Sequence, residues 1–187
     1  MSSTANVAVL VGSLRKESFN RRMALALAEM ARGTLDLQLI EIGTLPPYNQ
    51  DLDAAPPAPW TAFRDAVKAC DALLFVTPEY NRSVPGVLKN ALDVGSRPYG
   101  HSVWGGKPGA VISVSPGAIG GFGANHHLRQ SLVFLDVPTM AQPEAYLGGA
   151  GSLFDAQGHI ANEATRGFMQ KFLDAYTAWV ALHRKSA

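Results

Sequence analysis

Val7-Ala8-Val9-Leu10-Val11-Gly12 is the stretch of the sequence that decides the fold. Five apolar residues follow one another without a polar alternation, which is typical of a strand buried on both faces. Gly12 ends the run, and a polar loop at residues 13–19 leads into an Ala- and Leu-rich stretch with helical spacing. We expect this helix to start at Asn20 and to end before Gly33. A buried strand followed by a loop and a helix is the first unit of a parallel sheet.

The same alternation recurs along the chain. Further strands are predicted at residues 35–42, 72–76, 109–114 and 139–141, and further helices near residues 60–69, 85–94, 125–134 and 162–183. Residues 45–59 hold five prolines and residues 97–107 fit neither pattern, so both are expected to be loops. The predicted fold is α/β and flavodoxin-like, with three layers. Its five-stranded parallel sheet has the order 2-1-3-4-5 and helices on both faces, in one domain spanning residues 1–187.

The composition excludes several classes of protein. The chain has 187 residues, of which 47% are hydrophobic and 17% charged, and its net charge is +1. These values exclude a disordered protein and a nucleic-acid binder dominated by positive charge. A single cysteine, Cys70, excludes an intramolecular disulfide and a Cys-rich metal cluster. The sequence shows no signal-type segment and no apolar run of membrane-spanning length, so we expect a cytoplasmic protein.

Three loops are expected to form one binding site. In open parallel sheets, ligands bind at the carboxyl ends of the strands, in the crevice where the strand order reverses. With the predicted order, the loops that begin at Gly12, Thr77 and Ser115 lie at or beside that crevice. Adjacent His126 and His127 point in different directions on a helix, so no metal site is predicted.

The loop after the first strand carries groups that bind phosphate. The predicted N-terminus of the helix lies there, and a helix N-terminus attracts anions. Beside it are the hydroxyls of Ser13 and Ser18, the guanidinium of Arg15 and the amide of Asn20. The loop lacks both the Gly-x-Gly-x-x-Gly pattern of dinucleotide folds and the Gly-Lys-Ser/Thr pattern of nucleoside triphosphatases. In the alternative interpretation, Ser18 and Asn20 only cap the helix and Arg15 is a solvated charge. Arg21 and Arg22 either add positive potential near a phosphate or face solvent.

The other two loops suit a flat ligand. Residues 77–86 contain two prolines and Tyr80, and backbone amides between Pro78 and Asn81 could meet polar ring atoms. Residues 115–123 contain four glycines, which let the main chain approach a ring edge closely. The alternatives are an ordinary strand-to-helix connection for the first of these loops and a flexible turn for the second.

These loops carry a family resemblance. The blocks that match are Gly12-Ser13-Leu14-Arg15 with Ser18 and Asn20, Pro78-Glu79-Tyr80-Asn81 with Ser83-Val84-Pro85-Gly86, and Ser115-Pro116-Gly117-Ala118. They closely resemble the NADPH-dependent FMN reductases, and among these the bacterial quinone and chromate reductases. The resemblance implies that FMN is held at its phosphate and ribityl end by Ser13, Arg15, Ser18 and Asn20, and along its isoalloxazine by Pro78, Glu79, Tyr80, Asn81, Ser115 and Gly117. Phe19 belongs to the same cofactor-binding set.

The resemblance also implies an activity. Hydride would pass from NADPH or NADH through FMN to quinones. Chromate, azo compounds and free flavin are further expected acceptors. No catalytic side chain is assigned, because the flavin itself performs the chemistry. The alternative is a flavodoxin-like electron carrier without its own NAD(P)H oxidation, although the near-neutral net charge argues against one. A homodimer or homotetramer is implied, with Arg129, Tyr146 and residues 142–144 as candidate contacts.

Overall fold

Five parallel strands form the centre of the chain. The computed structural model describes residues 4–184 and gives the strands as β1 (Ala5–Val11), β2 (Leu35–Ile40), β3 (Ala72–Thr77), β4 (Gly109–Val114) and β5 (Ala145–Leu147). They lie side by side in the order β2-β1-β3-β4-β5, which confirms the predicted topology. The first three residues, part of the N-terminus expected to lack a signal-type segment, lie outside the described residues.

Helices cover both faces of the sheet. They are α1 (Phe19–Met30), α2 (Ala58–Lys68), α3 (Gly86–Gly95), α4 (Phe122–Phe134) and α5 (Glu163–His183). Val7 and Val9 of β1 pack into the core shared with α1 and α5, whereas Ala8 and Leu10 pack into the core shared with α2, α3 and α4. Because successive residues of a strand point to opposite faces, both sets must be apolar. Among the helices of residues 4–184, none combines the length and the apolarity of a membrane span.

The fifth strand is not where the sequence predicts it, and the prediction of residues 139–141 was wrong. Thr139 forms only an isolated bridge with Gly109 at the start of β4. The chain then leaves the sheet and pairs again at Ala145–Leu147, opposite Ile112–Val114. Pro143 lies in the gap, and proline has no N–H to donate to a neighbouring strand. The other predicted strands and helices lie within three residues of the observed bounds.

Trp104 reaches from the predicted loop at residues 97–107 into the core. Its side chain is fully buried, and its indole N–H donates to the Leu92 carbonyl at 3.0 Å. Gly95, the last residue of α3, makes room for the ring: a Cβ added there would lie 2.4 Å from Trp104 Cζ2. Trp60 is also fully buried. Both tryptophans therefore pack in the core rather than border an open pocket.

We predict opposite effects for two helical glycines. Gly95→Ala should lower the free energy of unfolding by about 2 kcal/mol, because the new methyl group overpacks the Trp104 ring. Gly167→Ala should raise it by about 1 kcal/mol, because Gly167 is exposed inside α5 with no atom near its added Cβ and alanine favours a helix. Urea unfolding followed by circular dichroism measures both. A Gly95→Ala protein as stable as the parent would contradict the packing argument.

Candidate functional site

The three predicted loops meet at the carboxyl edge of the sheet. They are the first loop (residues 12–18), the second loop (residues 78–85) and the third loop (residues 115–121). The first loop lies against the end of β3 and the start of the second loop, because Gly12 N–H donates to the Val76 carbonyl at 2.9 Å and a Cβ on Gly12 would lie 3.3 Å from Pro78 Cδ. The amide of Asn20 donates from α1 to the Val114 carbonyl at 3.1 Å, just before the third loop. The topology thus assembles one site from distant segments.

Ser18, and not Asn20, begins the first helix. Ser18 Oγ accepts a hydrogen bond from the Arg21 N–H at 3.2 Å, which makes Ser18 the N-cap of α1. The expectation that Asn20 starts the helix was wrong, because Asn20 already lies in the first turn with its side chain buried against the sheet. Accepting this bond leaves the Ser18 hydroxyl hydrogen available as a donor. The same side chain can therefore cap the helix and bind an anion.

One buried atom of Asn20 has no partner. Its amide nitrogen is bonded to Val114, but its buried Oδ1 has no hydrogen-bond partner among residues 4–184. An unsatisfied buried acceptor costs about 1–3 kcal/mol, so a native protein normally gives it a partner. A ribityl hydroxyl of FMN is a donor of the required kind. The residues present therefore fit the cofactor that the sequence predicts.

The remaining predicted residues of this region differ in exposure. Arg15 is exposed, and Ser13 is half-buried with its Oγ accepting the Arg15 N–H at 3.4 Å. The ring of Phe19 is half-buried and packs on the core shared with α1 and α5. The ring of Phe19 is therefore engaged in the core, and its main chain lies at the N-terminus of α1.

The second loop has a defined shape that presents Tyr80 to solvent. Tyr80 and Ser83 exchange two backbone hydrogen bonds of 3.1 and 3.0 Å. Between them, Asn81 and Arg82 both have left-handed backbones, with φ of 53° and 63°. Two consecutive left-handed residues form a tight hairpin turn that asparagine tolerates well and arginine poorly. The Tyr80 side chain is 47% exposed, so its ring is available to a planar ligand.

The side chain of Glu79 makes structural contacts that the sequence does not indicate. Its Oε2 accepts the Ala124 N–H at 3.1 Å in the first turn of α4, and its Oε1 lies 3.2 Å from the Arg82 guanidinium. A carboxylate at a helix N-terminus stabilises the helix dipole and satisfies an unpaired N–H. The side chain of Glu79 thus joins the second loop to α4, so any cofactor contact of this residue falls to its main chain.

The glycines of the third loop have two different roles. Gly120 has φ of 65°, and a Cβ there would lie 2.6 Å from the backbone carbon of Tyr146. Its close approach is therefore to the backbone of β5. A Cβ on Gly117 would meet only Ser115 Oγ, at 3.7 Å, so the space beside Gly117 is open. The open space beside this loop is consequently at its first half.

An aromatic cluster beside the third loop was not predicted as part of the site. The Phe122 and His126 rings pack at a tilt of 40° with centroids 4.2 Å apart, and His126 Nε2 lies 2.9 Å from the Tyr146 hydroxyl. Burial and the neighbouring Glu144 raise the pKa of Tyr146 to about 12, so this hydroxyl stays protonated at neutral pH. Phe122 and His126 are four residues apart on α4, which is the one sequence signal that could have paired them.

The two adjacent histidines have separate partners. His127 Nδ1 lies 2.8 Å from Ser83 Oγ in the second loop, whereas His126 contacts Tyr146. Within residues 4–184, no group of three or more His, Cys, Asp or Glu side chains is arranged to hold a metal ion.

Comparison with known proteins places this geometry in a family. Residues 5–152 match the model of the NADPH-dependent FMN reductases. A quinone reductase of Pseudomonas putida is 64% identical over 185 residues, 98% of this chain and 99% of the relative. A 2-hydroxy-1,4-benzoquinone reductase of a Burkholderia species is 52% identical over 174 residues, 93% of this chain and 95% of the relative. The solved structure of FerB, a flavoenzyme NAD(P)H:(acceptor) oxidoreductase from Paracoccus denitrificans, has a TM-score of 0.93 and 43% identity, and the match covers 97% of this chain and 100% of that one.

The fold and the three convergent loops define a flavodoxin-like flavoenzyme of the oxidoreductase class. The chain belongs to the family of NADPH-dependent FMN reductases, which use FMN as cofactor and NAD(P)H as co-substrate. The predicted family, enzyme class and cofactor are confirmed.

We predict that the Glu79 carboxylate stabilises the junction between the second loop and α4. Glu79→Ala should lower the free energy of unfolding by about 1 kcal/mol, because the Ala124 N–H loses its acceptor. Glu79→Gln should lower the free energy of unfolding by less, since the glutamine amide oxygen can still accept the Ala124 N–H. Thermal unfolding of the two variants measures the difference. If Arg82→Ala costs as much as Glu79→Ala, the exposed ion pair and not the helix cap is responsible.

Proposed function

We propose that this protein is an FMN-dependent NAD(P)H:quinone oxidoreductase. The observation that carries the proposal is the buried, unpartnered Oδ1 of Asn20, between a helix N-terminus and the ends of the central strands. Quinones are proposed as acceptors because the relatives from Pseudomonas putida and Burkholderia are quinone reductases. Chromate, azo compounds and free flavin are further proposed acceptors, because an open site excludes few small oxidants.

The first loop and the start of α1 would hold the phosphate and ribityl end of FMN. The proposed contacts are the hydroxyls of Ser13 and Ser18, the guanidinium of Arg15, the main chain at Phe19 and the Oδ1 of Asn20. The N-terminus of α1 has a positive dipole end, which favours the phosphate. One guanidinium, two hydroxyls and a helix end supply the donors that one phosphate needs.

The second and third loops would hold the isoalloxazine. Pro78 and the main chain of Glu79 to Asn81 would lie along one side, with the Tyr80 ring at the surface, and Ser115 and Gly117 would close the other edge. When bound, FMN would accept hydride from NAD(P)H and pass the electrons to the acceptor. The protein's part is to orient the ring and to leave one side open, so that co-substrate and acceptor can use it in turn.

Three further properties are proposed for the protein in the cell. The whole chain, residues 1–187, acts as one FMN-binding domain. It works in the cytoplasm, in keeping with a single, buried and unpaired Cys70. It assembles as a homodimer or homotetramer, in which Arg129, Tyr146 and residues 142–144 are candidate contacts next to the site.

We predict that Arg15→Ala weakens FMN binding by about 10- to 100-fold, the usual worth of a charge-assisted hydrogen bond. Arg15 is exposed, so the fold should be unaffected. Asn20→Ala should also weaken binding. The matched control is Arg22→Ala, because Arg22 is a nearby arginine on α1 that pairs with Glu17. Quenching of FMN fluorescence on titration with the apoprotein measures the dissociation constants.

Turnover separates the proposed enzyme from an electron carrier. The FMN-loaded protein should oxidise NADPH in the steady state with a benzoquinone as acceptor. A protein that binds FMN but does not oxidise NADPH or NADH would be a carrier. A protein that stays colourless after incubation with FMN would refute the proposed function altogether.

A further inference from the structure

A second concave surface lies beside the first loop, away from the second and third loops. This β1–β2 cleft has a volume of about 500 Å³ and opens between the ends of β1 and β2. Its floor is apolar and its rim is charged; the floor consists of Val11, Leu39, Ile40 and Ile42, and the rim of Arg15, Lys16, Arg21 and Glu41. The cleft shares Ser13 and Arg15 with the predicted FMN-binding set, whereas Lys16, Arg21 and the residues contributed by β2 and the segment after it lie outside that set.

The rim concentrates positive charge in a chain whose net charge is only +1. Arg15, Lys16 and Arg21 are exposed, and within the part of the chain that the structure describes none of them forms an ion pair. Glu41 is the only acid among the described residues that line the cleft, and its Oε1 accepts the N–H groups of Ile42 and Gly43 at 3.1 and 2.8 Å. The cleft is therefore net positive and suited to a phosphate group.

The floor and size suit a nucleoside. Clefts of 300–1,000 Å³ with apolar linings and a few polar groups typically hold small molecules. Leu14 closes one wall by packing on Gly43, where an added Cβ would lie 2.9 Å from Leu14 Cδ2. A purine ring can bury one face on this apolar floor while its ribose phosphate meets the cationic rim.

The position of the cleft relative to the flavin site suits a dinucleotide. In the order β2-β1-β3-β4, the gap between β1 and β2 is two strand spacings from the gap between β3 and β4, or about 10 Å. The second and third loops follow β3 and β4. A nicotinamide placed over these loops therefore leaves the adenosine end within reach of the cleft, past the first loop.

We propose that the β1–β2 cleft binds the adenosine 2′-phosphate end of NADPH, with Lys16 and Arg21 as the residues that select NADPH over NADH. This inference rests on the proposed function, since it concerns the co-substrate of the same site. Arg15 is left to the FMN phosphate, and the two farther cations meet the phosphate that distinguishes NADPH from NADH. Glu41 opposes this selection through its negative charge.

The test is the ratio of kcat/KM for NADPH to kcat/KM for NADH, with one benzoquinone as acceptor. Lys16→Ala and Arg21→Ala should each lower this ratio about tenfold, because a charge-assisted contact to the 2′-phosphate is lost. Arg22→Ala is the matched control: it removes a neighbouring cation that pairs with Glu17 and does not line the cleft. Equal losses with both co-substrates, or an equal effect of Arg22→Ala, would overturn the proposal.

One variant, Glu41→Gln, is expected to raise the ratio of kcat/KM for NADPH to kcat/KM for NADH. Glu41→Gln keeps an oxygen that can accept the Ile42 and Gly43 N–H groups but removes the negative charge. The NADPH to NADH ratio should therefore rise several-fold. An unchanged or lower ratio would count against a phosphate in this cleft.

Binding supplies a readout that does not depend on turnover. Calorimetry of the FMN-loaded protein should show adenosine 2′,5′-bisphosphate binding about tenfold more tightly than adenosine 5′-monophosphate, and Arg21→Ala should abolish the difference. If Arg21→Ala instead weakens FMN binding, the cleft belongs to the FMN phosphate and the proposal fails. A protein that binds the bisphosphate but oxidises neither co-substrate would refute the proposed function while leaving the cleft assigned.

Discussion

The hydrogen bond from the Asn20 amide to the Val114 carbonyl is the constraint on which the candidate site depends. It joins residues 94 positions apart, and it fixes the first turn of α1 against the end of β4. Both groups are buried, so neither can exchange this partner for water without a large cost. The bond holds the first and third loops at a set separation and leaves the acceptor of the same side chain, Oδ1, for a ligand. A single amide thus serves the fold and the cofactor together.

The central strands could be predicted because their surroundings are uniform. β1, β3 and β4 are covered by helices on both faces, so each contains consecutive apolar residues without a strict polar alternation. The order of the sheet follows from the rules for parallel strands. β5 was misplaced because it has three residues, too few for a pattern. Its position depends on long-range pairing with Ile112–Val114, which no local signal encodes.

The meeting of the three loops could also be predicted, since topology alone brings strand ends together. The partners of individual side chains could not. Glu79 bonds to Ala124, 45 residues away, and Gly120 is a glycine because it lies against the backbone of Tyr146. Both contacts require the packing of α4 and β5 to be known first. FMN could be predicted from the family resemblance of the loops. The β1–β2 cleft could not be predicted, because it depends on the positions of β2 and the first loop in the folded structure.

The contact between Gly120 and Tyr146 makes the third loop part of the edge of the sheet. β5 is short and lies at that edge, so much of what keeps it in place is the loop packed on its backbone. Any local opening that releases β5 must also disturb Ser115, whose N–H donates to the Leu147 carbonyl at 2.9 Å. A ligand that binds only the closed loop therefore disfavours this opening by mass action. Binding of the cofactor should therefore increase the protection of the β5 amides from hydrogen exchange.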